Sequence, residues 1–239
     1  MIQGPVLALD SSTSTGSVAV GDERGILAEV VRNVAGGHSA ALLPAIDQAM
    51  RAADLRPAEL GAIVVGEGPG SFTGLRIAGA TAKGMLQALR IPLFAYSGLL
   101  ATAAAAWSAS GPVCALFDAR RRDVFAACYR FDRGRSVEVL MEPAALSLDE
   151  LIGRFAGEGE PPLFVGEGAG LHSQELRERL GASVGPPHLA LPRASTLVWL
   201  ALTQPRLGMI EDPSGWEPEY LRASGAERIA AAKTVGGGA

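Results

Sequence analysis

The sequence is poor in the residues that build metal sites and disulfides. It has two cysteines and three histidines in 239 residues. His38, His172 and His188 are scattered and form no H-x-x-H or H-E-x-x-H pattern, so neither a metal site nor metal-dependent hydrolysis is expected. No G-x-S-x-G nucleophile elbow occurs either. Cys114 and Cys128 lack metal-ligand spacing and are expected to lie reduced in neighbouring core strands.

Charged residues and long apolar runs are also scarce. Charged residues make up 19% of the chain and the net charge is −4, which argues against a stand-alone nucleic-acid-binding protein. A solvated turn explains the basic run Arg120–Arg122 about as well as a binding site does. No apolar run approaches the about 18 residues of a membrane span, and the start, MIQGPVLALD, lacks the basic region of a signal peptide. A cytoplasmic protein of one large domain or two small ones is therefore expected.

Apolar periodicity predicts alternating strands and helices in the first half of the chain. Three short strands come first, and the helix that follows contains Pro44, which either kinks it or marks the start of its main part. The predicted elements are strands Val6–Asp10, Gly16–Val20 and Gly25–Arg32, helix His38–Ala53, strand Ala62–Val65, helix Ser71–Leu89, strand Leu93–Tyr96 and helix Gly98–Trp107.

The same order of elements starts again after a boundary near Ser108–Pro112. The strand Val113–Asp118 (VCALFD) ends in aspartate as VLALD does, and LFVGEGAG at Leu163–Gly170 repeats IVVGEGPG at Ile63–Gly70. These repeats indicate an internal duplication of a β-β-β-α-β-α unit. The intervening predicted elements are strands Asp123–Phe131 and Ser136–Met141 and helix Leu148–Phe155.

Duplicated halves of this plan are typical of the two-lobed α/β fold of actin, sugar kinases and heat-shock ATPases (ASKHA), whose nucleotide lies between the lobes. The expected division is an N-terminal lobe over 1–108, a C-terminal lobe over 109–222 and a flexible tail over 223–239. The nucleotide phosphates would then lie near the two strand-ending aspartates, Asp10 and Asp118. In the second half DARRRD replaces DSSTSTG, which indicates that one half of a nucleotide site has lost its loop.

Two segments of the first half could bind an anion. Asp10 could hold Mg²⁺ through water or orient a phosphate, or it could simply close a hairpin through an Asx or Ser/Thr turn. The loop GEGPGSFTG is neither a P-loop nor a dinucleotide fingerprint, but it opens a helix whose free amide groups favour anions. A purely structural turn explains the loop equally well. The candidate nucleotide or anion site consists of Asp10, Ser11, Thr13, Gly68, Gly70, Ser71 and Thr73.

The helix after this loop carries small residues in its interior. Gly74, Ala78 and Ala82 form a stripe, with Gly79 beside it. Because glycine inside a helix costs about 0.5–1 kcal/mol relative to alanine, another element is expected to come very close. That element is either a partner subunit or the rest of the same lobe. The partner-interface prediction comprises His38, Leu42, Ile46, Ala49, Gly74, Ala78 and Ala82.

Together these motifs resemble the TsaB (YeaZ) family. The matching segments extend from Val6 to about Arg222 and are LALDSSTSTGSVAV, GHSAALLPAID, GEGPGSFTGLRIAG, FDARRRDVFAACY and PEYLR. The resemblance implies a non-catalytic subunit for threonylcarbamoyladenosine (t6A) formation at adenosine 37 of tRNAs that read codons beginning with A. It also implies a scaffold that pairs with TsaD through N-lobe helices and supports binding of the ATPase TsaE.

The resemblance also implies where the cofactors belong. TsaD-like proteins carry paired histidines as metal ligands on the helix where this chain has only His38, so ATP and metal are expected on the TsaD partner. No cofactor is required by this chain, although weak residual nucleotide binding is compatible with Asp10 and the loop. tRNA is expected to be reached through the complex, and the chain alone is expected to homodimerise through its free apolar face. The alternative function is a nucleotide-dependent ATPase or phosphotransferase that uses Asp10 and Gly66–Thr73.

Overall fold

The computed structural model describes residues 2–33, 38–132, 136–157 and 159–221, apart from the side chains of residues 38 and 39. The predicted tail over 223–239 and Arg222 lie outside these ranges. The strands are β1 Val6–Asp10, β2 Thr15–Asp22, β3 Gly25–Asn33, β4 Ala62–Gly66, β5 Leu93–Tyr96, β6 Val113–Asp118, β7 Asp123–Phe131, β8 Val137–Ser147 and β9 Leu163–Val165. The helices are α1 His38–Ala52, α2 Phe72–Leu89, α3 Gly98–Ala104, α4 Leu148–Phe155, α5 Glu167–Leu171, α6 Ser173–Leu180, α7 Ala194–Thr203 and α8 Pro205–Gly208.

The first sheet has the strand order β3-β2-β1-β4-β5. β1 pairs antiparallel with β2 and parallel with β4, which itself runs parallel to β5. Successive side chains of a strand point to opposite faces of the sheet. All residues of the central strands β1 and β4 are buried, so both faces of the sheet are covered. One face packs on α1 and α2 through Leu7, Leu9, Ile63 and Val65. The other face packs on α7, whereas α3 lies against β6 and β7.

The second sheet repeats this plan with one strand fewer. Its order is β8-β7-β6-β9, with β6 antiparallel to β7 and parallel to β9. Beyond β9, a single parallel bridge joins Phe164 to Val184, at the place that β5 occupies in the first sheet. The duplicated two-lobed α/β architecture predicted from the sequence is therefore confirmed. Cys114 and Cys128 are buried cross-strand neighbours on β6 and β7, as expected, and both are free thiols.

The predicted assignment of the last segment of the chain to the second lobe is wrong. The sequence assigned everything from 109 to 222 to the second lobe, but α7 packs on β1, β2 and β4 of the first sheet. Glu29 on β3 holds the start of this helix. It accepts hydrogen bonds from Arg193 Nη2 at 2.6 Å and from the Ser195 hydroxyl at 2.8 Å. Residues 194–221 therefore pack with the N-terminal lobe.

Helix α1 runs through Pro44 from His38 to Ala52, close to the predicted bounds, so this proline does not mark the start of the helix. One strand differs from the sequence-based expectation. Strand β8 continues to Ser147, well beyond the predicted end at Met141, and passes directly into α4. Ser147 caps that helix, because its hydroxyl accepts from the Glu150 amide at 3.2 Å. No helix in the described ranges is long and apolar enough to cross a membrane.

Candidate functional site

The turn after β1 is built around the buried carboxyl group of Asp10. The Ser12 amide and hydroxyl both donate to Asp10 Oδ1, at 3.0 and 2.9 Å, which makes an Asx turn. Ser11 and Thr13 are buried beside them. The other carboxylate oxygen, Asp10 Oδ2, is buried and has no hydrogen-bond partner among the described residues. The sequence did not single out Ser12, yet this residue makes most of the contacts in the turn.

The glycine-rich loop packs directly onto this turn. The Ser71 amide donates to the Ser12 carbonyl oxygen at 2.6 Å, and the Ser11 hydroxyl donates to the Gly74 carbonyl oxygen at 2.7 Å. A side chain would overlap the turn at three loop positions: Gly66 against Asp10, Gly70 against Ser12 and Gly74 against Ser11. Glycine is therefore needed here for close contact within the chain.

Two further polar groups of the loop are also used internally. The Ser71 hydroxyl caps α2 by accepting from the Gly74 amide at 3.2 Å. The Gly68 carbonyl oxygen accepts from the Gly98 amide at 2.7 Å and from the Ser97 hydroxyl at 3.3 Å. Of the predicted anion-site residues, Gly70, Ser71 and Thr73 are exposed.

The candidate anion-site residues thus come together, but in a closed arrangement. A phosphate could not enter between the turn and the loop without breaking the contact between Ser71 and Ser12. Asp10 Oδ2 faces Gly66 rather than an open cavity. No group of three or more potential metal ligands occurs within the described ranges. A nucleotide phosphate therefore does not fit between the Asp10 turn and the loop.

Burial of Asp10 makes stability depend on pH. Burial raises the pKa of Asp10 from 3.8 to about 6, against the opposing effect of the hydrogen bonds from Ser12. Because the folded state holds this proton more tightly than the unfolded chain, the stabilisation is present below about pH 4 and is lost as the pH rises through 6.

Asp10→Asn should remove this pH dependence while keeping the Oδ1 acceptor for Ser12. The free energy of unfolding of the variant, relative to that of the native protein, should rise by about 2 kcal/mol between pH 4 and pH 7. Urea unfolding at several pH values measures this difference. A constant difference over that range would show that Asp10 has an ordinary pKa.

The corresponding turn of the second lobe is open and basic. Asp118 is exposed, and its Oδ1 accepts from the Arg120 amide at 2.7 Å. Arg120, Arg121 and Arg122 have φ angles of 65, 57 and 64°. Burial, with a smaller contribution from Asp118, raises the pKa of the nearby Glu167 carboxyl group. This turn therefore has neither the glycines nor the hydroxyl groups that follow Asp10.

The residues predicted to contact a partner are mostly in the core. Leu42, Ile46, Ala49, Ala78 and Ala82 are all buried between the first sheet and its two covering helices. Gly74 is also buried, against Ser11, and the His38 side chain lies outside the described residues. Their burial contradicts the prediction that these side chains form a contact surface, because they contact the sheet of their own lobe instead.

The exposed surface of these two helices consists of other residues. We define it as the outer face, and Leu43 on it is 60% exposed. Its α1 members are Ala40, Leu43, Pro44, Asp47, Gln48, Arg51 and Ala52, and its α2 members are Thr73, Arg76, Ala80, Gly84, Gln87 and Ala88. The outer face thus combines small and apolar side chains with charged ones, Asp47, Arg51 and Arg76.

A strap formed by residues 209–221 covers another side of α2. Trp216 packs where a Cβ on Gly79 would lie 3.2 Å from its ring. This contact within the chain explains the glycine. The Tyr220 ring lies 4.9 Å from that of Phe72, and its hydroxyl accepts from Arg76 Nε at 3.3 Å. The sequence-based interpretation did not anticipate the strap, although the pair of aromatic residues between Pro213 and Leu221 was a signal for packing.

The strap also reaches the glycine-rich loop. The Glu219 amide donates to the Glu67 carbonyl oxygen at 3.1 Å. Burial and the neighbouring Glu219 charge raise the pKa of the Glu67 carboxyl group, against the effect of a hydrogen bond from Trp216. One edge of the loop is therefore covered by the last described residues of the chain.

Comparison with known proteins places nearly the whole chain in one family. The model of the family described as "TsaD: tRNA N6-adenosine threonylcarbamoyltransferase" matches residues 23–230. The tRNA threonylcarbamoyladenosine biosynthesis protein TsaB of Bacillus subtilis is 32% identical over 224 residues, covering 93% of this chain and 96% of that protein. The protein of the same name from Escherichia coli is 27% identical, covering 91% and 94%.

Solved structures agree with the sequence comparison. A crystal structure from Pseudomonas aeruginosa, described as an uncharacterized protein with similarity to peptidase YEAZ, has a TM-score of 0.77 at 30% identity, covering 92% of this chain and all of that one. YeaZ from Pseudomonas aeruginosa has a TM-score of 0.74 at 28% identity, with 91% of this chain covered. The chain therefore belongs to the TsaB family, within the wider family that the TsaD model describes.

Proposed function

We propose that this chain is a non-catalytic subunit required for t6A modification of adenosine 37 in tRNAs that read codons beginning with A. The names of its relatives support a place in this modification. The observation that carries the absence of catalysis is the closed contact between the Asp10 turn and the glycine-rich loop, in which the Ser71 amide is bound to the Ser12 carbonyl oxygen. Such a subunit would work in the cytoplasm, where tRNA is modified.

In this proposal the chain is a scaffold and activator of TsaD, the threonylcarbamoyltransferase, and supports binding of TsaE. The outer face of α1 and α2 is the surface proposed for TsaD, in place of the buried residues predicted from sequence. Its exposed leucine, Leu43, and its small residues Ala80 and Gly84 would let another pair of helices approach closely. In the absence of TsaD the same face would support a homodimer. ATP and metal would be bound by TsaD.

An add-back assay tests this proposal. Purified TsaC, TsaD and TsaE are incubated with unmodified tRNA, threonine, bicarbonate and ATP, with and without this chain. We expect t6A, measured by mass spectrometry of digested tRNA, to form only when the chain is present. Modification at the same rate without it would contradict a required role.

Calorimetry with Mg-ATP separates the scaffold from the alternative ATPase or phosphotransferase. Because the loop amide and glycines are already occupied by contacts within the chain, the isolated protein should give no measurable binding heat and no ATP turnover. Tight binding with turnover would instead favour an enzyme that uses Asp10 and Gly66–Thr73. Isolated TsaD, which is expected to bind ATP, is the positive control.

A further inference from the structure

The turn between β6 and β7 contains an unusual run of strained backbone. Arg120, Arg121 and Arg122 have φ angles of 65, 57 and 64°. This left-handed conformation is unfavourable for residues other than glycine, because Cβ approaches the following carbonyl oxygen. The other described non-glycine residues with positive φ are Asp54 and Arg90, each a single residue just after a helix, where this conformation is common.

Hydrogen bonds hold the turn in this conformation. The Arg120 amide donates to Asp118 Oδ1 at 2.7 Å. The Asp123 amide donates to the Arg120 carbonyl oxygen, and the Leu148 amide to the Arg122 carbonyl oxygen, each at 3.1 Å. These bonds use backbone groups of the arginines, so glycines would make them equally well and without strain. The side chains of Arg120 and Arg121 are therefore not needed to form the turn, and strain that is kept without a folding reason points to a function.

Two of the three guanidinium groups lack a partner within the described part of the chain. Arg122 Nη2 lies 2.9 Å from Glu175 Oε2. Arg120 and Arg121 are exposed and make no side-chain hydrogen bond or ion pair with a described residue. Asp118 accepts from the backbone of the turn, and Asp149 pairs with Arg179. The turn thus presents two adjacent unpaired cations on a chain whose net charge is −4.

The exposed position of these cations indicates the class of ligand. Sites for small molecules are concave, whereas Arg120 and Arg121 lie at the tip of a hairpin. A guanidinium group is a planar fork that binds phosphate oxygens through two hydrogen bonds. Adjacent forks on a projecting turn suit the repeated phosphates of a nucleic acid better than a single nucleotide.

We propose that Arg120 and Arg121 bind backbone phosphates of the tRNA substrate when this chain is in the modification complex. This inference rests on the proposed function. It gives the chain a direct contact with RNA in addition to its role as a scaffold, and it accounts for both the strained backbone and the unpaired charges.

The test measures tRNA binding by the complex of the full chain with TsaD from the same organism. The probe is a fluorescently labelled, unmodified transcript of a tRNA that reads a codon beginning with A, titrated by anisotropy at several salt concentrations. The main variant is Arg120→Gly/Arg121→Gly, which keeps the backbone conformation and removes both charges. Arg120→Glu/Arg121→Glu reverses the charges. The matched control, Arg154→Glu/Arg206→Glu, reverses the charges of two exposed arginines elsewhere.

We expect the glycine variant to weaken tRNA binding about ten-fold and to lower the slope of log Kd against log salt by about 2. The glutamate variant should weaken it further, and the control should stay within about two-fold of the native protein. Unchanged affinity and slope in the glycine variant would overturn the proposal. Loss of assembly with TsaD would overturn it in favour of protein carboxylates as the ligand. Loss of Mg-ATP binding with tRNA binding intact would overturn it in favour of a nucleotide.

These outcomes differ from failure of the proposed function itself. If the native chain does not restore modification in the add-back assay, the proposed function fails. If the native chain restores it and the glycine variant binds tRNA equally well, only the RNA contact fails.

Discussion

Replacing Ala78 with glutamate is expected to unfold the N-terminal lobe. Ala78 lies in α2 with no exposed surface and packs in the cluster between the first sheet and its two covering helices. A glutamate there would have to bury a charge without a partner and would overfill a packed core. The expected loss exceeds about 4 kcal/mol, a large part of the total stability of a domain. Thermal unfolding followed by circular dichroism should show a lost or strongly lowered transition.

Ala80→Glu is the matched control, because Ala80 lies two residues further along the same helix and is exposed. This variant should keep the native melting temperature within a few degrees, since surface substitutions change stability by about 0.5 kcal/mol. If the outer face binds TsaD, Ala80→Glu should nevertheless abolish co-elution with TsaD in gel filtration. A folded Ala78→Glu variant that fails to bind TsaD would restore the original prediction that Ala78 is a contact residue.

Gly74→Ala is expected to cost about 3 kcal/mol or more. The added Cβ would overlap the carbonyl oxygen of Ser11, which is backbone and cannot rotate away. Helix α2 would have to move off the turn, which would break the bond from the Ser11 hydroxyl to the Gly74 carbonyl oxygen. Urea unfolding of the native and variant proteins measures the loss.

Gly84→Ala separates this close contact from the ordinary effect of glycine in a helix. Gly84 lies in the same helix, and a Cβ added there meets no atom within 4 Å. Alanine should therefore stabilise the protein by about 0.5–1 kcal/mol. Opposite signs for the two variants are the expected result. A tolerated Gly74→Ala would mean that α2 does not press on the Asp10 turn.

The internal repeat could be predicted because each half carries its own short sequence signals. The strands that end in Asp10 and Asp118, and the VGEG sequences repeated at the ends of β4 and β9, predicted the order of elements and the two-lobed fold. Strand and helix types follow from the spacing of apolar residues, which each segment carries in itself.

Which element covers each apolar face could not be predicted in the same way. An apolar stripe such as Leu42, Ile46 and Ala49 shows that one face of a helix is buried, but not whether its own sheet or another protein covers it. The contact between Gly79 and Trp216 joins residues far apart in the chain, and no spacing pattern records it. Residues other than glycine prefer negative φ angles, so sequence rules predict against the left-handed turn at Arg120–Arg122.

The return of α7 and the strap to the first lobe has a consequence for the order in which the protein is made. The ribosome completes the strands of the first sheet before any residue of the second, yet α7 covers one face of the first sheet and Trp216 covers part of α2. The lobe synthesised first is therefore the last to be completed. Until residues 194–221 are made, part of its apolar surface stays exposed, which favours aggregation. A nascent chain stalled before residue 194 should carry a protease-sensitive first lobe, which becomes resistant once the final segment is released.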